Sequence, residues 1–112
     1  MPQKIKDYVS LHFPNCTITK VEIEDDQDDD EMYEVKLSCD CELEFDKFEN
    51  IIEIECKSKL PDSTIPTKIL SYVNSNFPNN YIVSCEIKGK IQKVELSNKN
   101  KLVFDLEDNF LY

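Results

Sequence analysis

An acidic run is the most chemically suggestive stretch of this 112-residue chain, and it reads Asp25-Asp26-Gln27-Asp28-Asp29-Asp30-Glu31. Asp26, Asp28 and Asp30 have the alternating spacing that can gather oxygen ligands around Ca²⁺. The glycine and the distal bidentate glutamate of an EF-hand loop are missing, and no predicted helix flanks the run. The pattern favours a solvated hairpin tip, with a weak calcium site at these three residues as the alternative.

Cysteines are the other candidates for metal or redox chemistry. Because their number is odd, at least one thiol is free or pairs with another chain. Cys39 and Cys41 share a predicted turn and could hold a soft metal, but a closed zinc site needs two further ligands. A tolerated turn or a local oxidation product is the favoured interpretation, while Cys56 and Cys85 are expected to be small core residues. The full set is Cys16, Cys39, Cys41, Cys56 and Cys85.

The sequence lacks the usual marks of catalysis. His12 is the sole histidine, and no serine shares a motif with a histidine and a carboxylate. No glycine-rich loop is present to cradle a phosphate, since Gly89 is the only glycine. We therefore predict a protein that is not an enzyme and that has no cofactor, apart from the weak calcium alternative.

These candidate residues are positioned by a duplicated unit. Residues 1–15 return as residues 65–79 with the same apolar and proline positions, and two further motifs are also repeated. A regular duplication requires each half to form the same structural unit. Each half would be only marginally stable alone, so the two units are expected to share one core. The further motifs are Val35-Lys36-Leu37-Ser38 with Val94-Glu95-Leu96-Ser97, and Leu43-Glu44-Phe45-Asp46 with Leu102-Val103-Phe104-Asp105.

Each repeat is predicted to be a helix followed by four strands. Apolar residues recur at helical spacing before each Phe-Pro pair, and then the period changes to two. A fourth strand is predicted at Ile52–Cys56 and again at Phe110–Tyr112. The fold class is therefore α+β, with two tandem αββββ repeats and both helices packed on one face of an antiparallel sheet. The predicted boundaries are 1–57 for the first repeat, 58–64 for the linker and helix cap, and 65–112 for the second repeat.

The other sheet face is expected to be open, acidic in the first repeat and mixed or apolar in the second. Strict alternation directs Tyr81 and Val83 to the core and Ile82 outward. The plain interpretation is a wet sheet face with polar residues at every second position. The alternative is a recognition surface, because side-by-side carboxylates repel one another and a cationic partner would relieve the repulsion. The predicted partner-binding residues are Glu22, Glu24, Glu34, Glu42, Glu44, Glu53 and Val103, and other outward positions include Asp46, Glu55, Ser84, Glu86, Lys93, Glu95, Lys101 and Asp105.

Charge is distributed unequally between the halves. The net charge is −10, and residues 1–58 carry 17 acids and 6 lysines, whereas residues 59–112 carry 6 acids and 7 lysines. This balance argues against nucleic acid and anionic membranes as partners, because both need clustered positive charge. It favours a protein or peptide with a basic surface, bound by a monomer or weak dimer. No apolar run approaches transmembrane length.

The repeated motifs resemble a known family. Pro-x-x-Ile-x-x-Tyr-Val, then Phe-Pro-Asn, Val-x-Leu-Ser and Leu-x-Phe-Asp, are similar to the PepSY-like, β-lactamase-inhibitor-protein-like family of small bacterial periplasmic proteins. The resemblance covers essentially the whole chain. It implies export to the periplasm with a signal peptide removed, two tandem helix-plus-sheet units and no catalysis. It also implies a protein-binding role, which includes inhibition of a partner.

The predicted function is thus a non-catalytic periplasmic protein-binding module that uses the open sheet face and adjoining loops. One alternative is a cation- or ligand-binding sensor that uses the Asp-rich loop. Another is a structural domain that dimerises through the sheet face or a terminal strand.

Overall fold

The structure is a computed structural model that describes residues 1–24 and 31–112. Two α-helices and one seven-stranded sheet account for most of these residues. A short 3₁₀ helix at Asp62–Thr64 lies between the repeats. The elements are α1 Gln3–His12, β1 Ile18–Ile23, β2 Glu31–Leu37, β3 Cys41–Asp46, β4 Ile51–Cys56, α2 Thr67–Asn76, β5 Ile82–Lys88, β6 Ile91–Leu96 and β7 Lys101–Asp105.

The two helices begin and end at matching residues. Pro2 and Pro66 precede the first helical residues, where a missing backbone N–H leaves no hydrogen bond unmade. Phe13 and Phe77 leave the helical conformation with φ of −130° and −134°. Each is followed by a proline, whose ring disfavours the helical conformation of the residue before it. The helix boundaries therefore follow from local sequence.

All seven strands are antiparallel and lie in sequence order. The pairing of β4 with β5 joins the two repeats into one sheet, with Ile54 opposite Cys85. The predicted α+β class with an antiparallel sheet is confirmed. The prediction of a fourth strand in the second repeat is wrong, because the C-terminal residues form only an isolated bridge between Phe104 and Phe110. The second repeat is αβββ with a terminal segment.

One apolar cluster forms the core and draws on both helices and on strands β2 to β7. The aromatic contacts are duplicated as closely as the sequence. Tyr8 meets Phe45 edge-on with ring centroids 5.6 Å apart, and Tyr72 meets Phe104 at the same 5.6 Å and the same interplanar angle of 87°. Edge-to-face pairs at this distance add to the burial of the rings themselves. The shared core explains how two marginal halves form one stable domain.

A bulge at Val83 reverses the predicted orientation at the start of β5. Ile82 pairs with Leu96 while Ser84 pairs with Glu95, so Val83 is an extra residue. The prediction that Ile82 faces outward is therefore wrong, since Ile82 is only 2% exposed. Tyr81, predicted to face the core, is 42% exposed. The first repeat has the matching irregularity between Ile18 and Lys20.

Two disulfides lie entirely within the first repeat. Cys16 is joined to Cys39, and Cys41 is joined to Cys56 across β3 and β4. The two turn cysteines are thus bonded to distant partners, not to each other. Cys56 is buried as predicted but as half of a disulfide. Cys85 is the cysteine that stays free in the part of the chain described.

Candidate binding face

A row of five glutamates crosses the middle of the sheet. Backbone pairing places each glutamate opposite the next on neighbouring strands. Directly opposed residues in an antiparallel pair have Cβ atoms about 5 Å apart, so the glutamate side chains are neighbours across the strands. We call this set the glutamate row. It runs through Glu22, Glu34, Glu44, Glu53 and Glu86, and continues as Lys93 and Val103.

A second row runs parallel to the glutamate row and contains both lysines and glutamates. Its order is Lys20, Lys36, Glu42, Glu55, Ser84, Glu95 and Lys101. In β3, Cys41, Leu43 and Phe45 are buried, whereas Glu42 and Glu44 between them are not. The residues of the two rows therefore lie on the sheet face opposite the core. We call the surface made by both rows the glutamate face.

Ion pairs form on the side of this face made by β1, β2 and β3. Lys20 Nζ lies 2.7 Å from Glu22 Oε1, and Lys36 Nζ lies 3.8 Å from Glu42 Oε1. The hydrogen bond and charge of Lys20 hold the pKa of Glu22 below its ordinary value. All four side chains are at least 40% exposed, so these pairs add little stability.

The predicted site residues have different positions on this surface. Glu22, Glu34, Glu44 and Glu53 belong to the glutamate row, and Glu42 belongs to the second row. Glu24 follows β1 and is exposed. The sequence predicts Glu86 on the outer face but outside the binding set; its register opposite Glu53 makes it the fifth member of the glutamate row.

Val103 offers little surface, since it is only 8% exposed. The C-terminal segment hydrogen-bonds to its backbone: the Val103 amide donates to Tyr112, and the Leu111 amide donates to Val103. The edge beyond β7 is thereby covered by the chain's own end. Val103 therefore adds little to the accessible surface, whereas the five glutamates of the row are half-buried and Lys93 and Lys101 are exposed.

The carboxylates of Asp46 and Asp105 accept hydrogen bonds from backbone amides of the turns that follow them. Asp46 Oδ1 accepts hydrogen bonds from the amides of Phe48 and Asn50, each at 2.9 Å. Asp105 Oδ1 accepts from the amides of Glu107 and Asn109 at 2.9 and 2.8 Å. The amide of Asn109 is the main cause of the lowered pKa of Asp105. These carboxylates stabilise turns, a role indicated by their agreement between the two repeats.

The metal candidates find no support in the described residues. Asp26, Asp28 and Asp30 lie outside the described residues. Within 1–24 and 31–112, no group of three His, Cys, Asp or Glu side chains is arranged to hold a metal ion. Four of the five cysteines are held in disulfides, which leaves no dithiol in the Cys39–Cys41 turn.

Three titratable side chains outside the glutamate face, those of His12, Cys85 and Tyr8, have pKa values shifted by burial. His12 Nδ1 and Ser63 Oγ are hydrogen-bonded at 2.8 Å, which ties α1 to the 3₁₀ helix. Partial burial lowers the pKa of His12. Burial also raises the pKa of the Cys85 thiol to about 12 and raises that of the Tyr8 phenol. A thiol with so high a pKa is a poor nucleophile at neutral pH.

The fold and this surface define a class of protein: a duplicated α+β unit whose antiparallel sheet carries a row of glutamates. Residues 1–53 and 52–112 each match the family model described as "Putative beta-lactamase-inhibitor-like, PepSY-like". The two matches span the chain, so it belongs to this PepSY-like family. The resemblance predicted from the repeated motifs is confirmed.

Three solved structures share the whole fold. One, from Bacteroides thetaiotaomicron, is described as a putative calcium-regulated periplasmic protein; it has 33% identity and a TM-score of 0.92. Two from Bacteroides vulgatus ATCC 8482, described as putative periplasmic proteins, have 29% and 30% identity with TM-scores of 0.90 and 0.91. Each comparison covers 100% of this chain and 88%, 88% and 90% of the other chains, respectively.

All three similar structures are periplasmic proteins by description, which confirms the predicted location. Neither helix in the described part of the chain has the length and apolar character needed to cross a bilayer. No functionally curated protein matches the sequence.

Proposed function

We propose that this protein is a non-catalytic periplasmic binding module that docks a basic protein or peptide on the glutamate face. The observation that carries the proposal is the register of the glutamate row, which aligns five carboxylates across five adjacent strands. Like charges directly opposite one another destabilise a sheet. A partner with lysines or arginines would relieve that repulsion on binding.

In this proposal both helices cover the sheet face turned away from the glutamate row. The contacts of Tyr8 with Phe45 and of Tyr72 with Phe104 support this arrangement, because Phe45 and Phe104 are buried core residues of the sheet. No helix or strand from residues 1–24 or 31–112 then lies over the centre of the glutamate face. Where the partner is an enzyme, occupation of its surface would inhibit it, in keeping with the family's description.

The direct test measures binding of a lysine-rich helical peptide by fluorescence anisotropy. Wild type is expected to bind it with an affinity that falls as salt rises, since exposed charge pairs are screened. A variant with Glu34→Gln, Glu44→Gln and Glu53→Gln removes the centre of the glutamate row. We expect its affinity to fall about ten-fold, because three opposing charges are lost.

A matched control separates local recognition from net charge. Asp7→Asn, Glu49→Gln and Glu107→Gln remove the same number of charges away from the glutamate row. This control should bind within about two-fold of wild type at the same salt. If it weakens binding as much as the row variant, the peptide responds to overall charge alone and the proposal is wrong.

A second function is supported by one neighbour and one motif. We infer a calcium-responsive role from the 33%-identical structure described as calcium-regulated, together with the spacing of Asp26, Asp28 and Asp30. Calcium that binds only the folded state raises the melting temperature by mass action. Millimolar calcium should raise it for wild type and not for a variant with all three aspartates changed to asparagine. Equal shifts in both proteins, or none in wild type, would exclude the site.

A further inference from the structure

A cleft with two lysines in its lining opens where the two repeats meet. The cleft has a volume of about 380 Å³ and lies at the bulged start of β5. That volume lies in the range of small-ligand sites. We call it the lysine cleft. It is lined by Cys56 and Lys57 from the first repeat and by Tyr81, Val83, Glu95, Leu96, Ser97 and Lys99 from the second.

The cleft forms because β4 of the first repeat pairs with β5 of the second repeat. Ile82 points into the core, so its neighbours Tyr81 and Val83 point to the opposite side of the sheet. The end of β4, with Lys57, then forms a facing wall. Among residues 1–24 and 31–112, β1 forms the edge of the sheet, so the matching bulge in β1 has no such wall.

Hydrogen bonds of backbone amides fix the position of each wall of the cleft. The Tyr81 amide donates to Ser97 Oγ at 3.2 Å, and the Ser97 amide donates back to the Tyr81 carbonyl at 2.8 Å. Lys99 has a positive φ of 71° in a turn closed by its amide on the Leu96 carbonyl. The Lys57 amide donates to the Asp40 carbonyl, next to the Cys41–Cys56 disulfide. Such preformed geometry reduces the entropy lost on binding.

The charges of the lining point to an anionic ligand. Lys57 and Lys99 outnumber the one acid, Glu95, in a chain whose net charge is −10. Neither lysine is in an ion pair with another residue of 1–24 or 31–112. The equivalent first-repeat residues are Thr17 for Tyr81 and Asp40 for Lys99, so both the aromatic ring and the cation are particular to the second repeat.

We propose that the lysine cleft binds an acidic peptide segment. Lys57 and Lys99 receive its side-chain carboxylates, and Tyr81 and Val83 pack against its backbone and aliphatic carbons. Peptide main chain with glutamate or aspartate matches both the charge and the apolar part of the lining. The site lies outside the glutamate row, although Glu95 of the second row lines it, and it does not depend on the function proposed for the glutamate row.

The test is an NMR titration of the full protein with the capped peptide acetyl-Ala-Glu-Glu-Ala-amide. We expect saturable shifts of the Tyr81, Ser97 and Lys99 amides below about 10 mM peptide. The glutamine analogue, which lacks the charge but keeps the shape, should give no saturable shift. No saturation with the glutamate peptide, or equal shifts with both peptides, overturns the proposal.

Charge variants distinguish binding of the peptide in the lysine cleft from attraction of the peptide to the overall charge of the protein. Lys99→Asp introduces the residue type found at the equivalent position of the first repeat, Asp40, which has a φ of 60°. The turn should therefore keep its conformation. It should weaken binding about ten-fold, whereas Glu95→Gln should strengthen it. Lys90→Asp changes the net charge equally from the far end of β5, about 20 Å away, and should leave binding within two-fold. If Lys90→Asp weakens binding as much as Lys99→Asp, the cleft is not the site.

Discussion

Several side chains in the turns replace the glycines that such turns usually contain. Asp40, Glu49, Lys99 and Asp108 all have φ between 60° and 71°, in the left-handed region. A side chain there costs about 1 kcal/mol relative to glycine. The carboxylates of Asp46 and Asp105 offset part of that cost by accepting turn amides. Their charge is thus used locally, although the sequence alone places them with the acids of the outer face.

His12 gives a pH dependence whose sign follows from its environment. Burial lowers its pKa from the ordinary value of 6.5, so near that pH the unfolded chain binds more protons than the folded one. Stability conferred by the neutral ring is therefore present above pH 6.5 and is lost as pH falls through 6.5 toward the folded pKa.

The matched variant is His12→Asn, which installs the residue found at the equivalent position, Asn76, in the second repeat. Urea unfolding should show wild type losing more stability than the variant between about pH 7.5 and about pH 5.5. Parallel losses in the two proteins would contradict the assigned role of His12.

At the scale of elements, the first repeat is held by disulfides where the second is not. The Cys41–Cys56 bond closes a loop with a sequence separation of 15. Loop-closure entropy for that length is about 3 kcal/mol. The double variant Cys41→Ala and Cys56→Ala should lose about that much in urea unfolding without reductant.

The control for the disulfide variant is Cys85→Val, which places the residue of the equivalent position, Val21, at the free thiol. It should change stability by less than about 1.5 kcal/mol, since volume and polarity are nearly kept. A double variant as stable as wild type would show that the bond constrains nothing.

Element types followed from the sequence, whereas strand details did not. Helical spacing before Phe13 and Phe77 and the alternation after them predicted helices and strands in the right places. Alternation could not reveal the bulge at Val83, because one extra residue reverses every assignment before it. Likewise, the spacing of the cysteines does not encode which of them meet across strands.

The candidate site was also predicted only in part from the sequence. Period-two alternation identified the outward glutamates, but only the register of β1 to β5 shows that five of them form one row. The burial of Val103 depends on the path of the C-terminal segment, which no local pattern predicts.

At the scale of the whole molecule, the two repeats are expected to unfold together. Ile54 is 2% exposed and lies between Leu43 and Cys85 in the row that joins β3, β4 and β5. Ile54→Ala should cost about 3 kcal/mol by leaving a cavity at this junction. Resolved NMR signals from each repeat should disappear at one urea concentration.

Ile23→Ala is the control for the junction, since Ile23 is 64% exposed on β1. It should cost less than about 0.5 kcal/mol. If Ile54→Ala separates the loss of the two sets of signals, the repeats are independent folding units.

The consecutive placement of the disulfides also determines how the protein responds to mechanical tension. A chain pulled from its ends carries load from Cys16 directly to Cys39, through Asp40 to Cys41, and then directly to Cys56. The residues inside the two loops bear no force, so the hairpins β1–β2 and β3–β4 are never stretched end to end. Their sequence separations of 23 and 15 shorten the full extension of the oxidised chain by roughly 130 Å. An energy-driven protease that threads its substrate as a single strand would have to pass three strands of chain together at each loop.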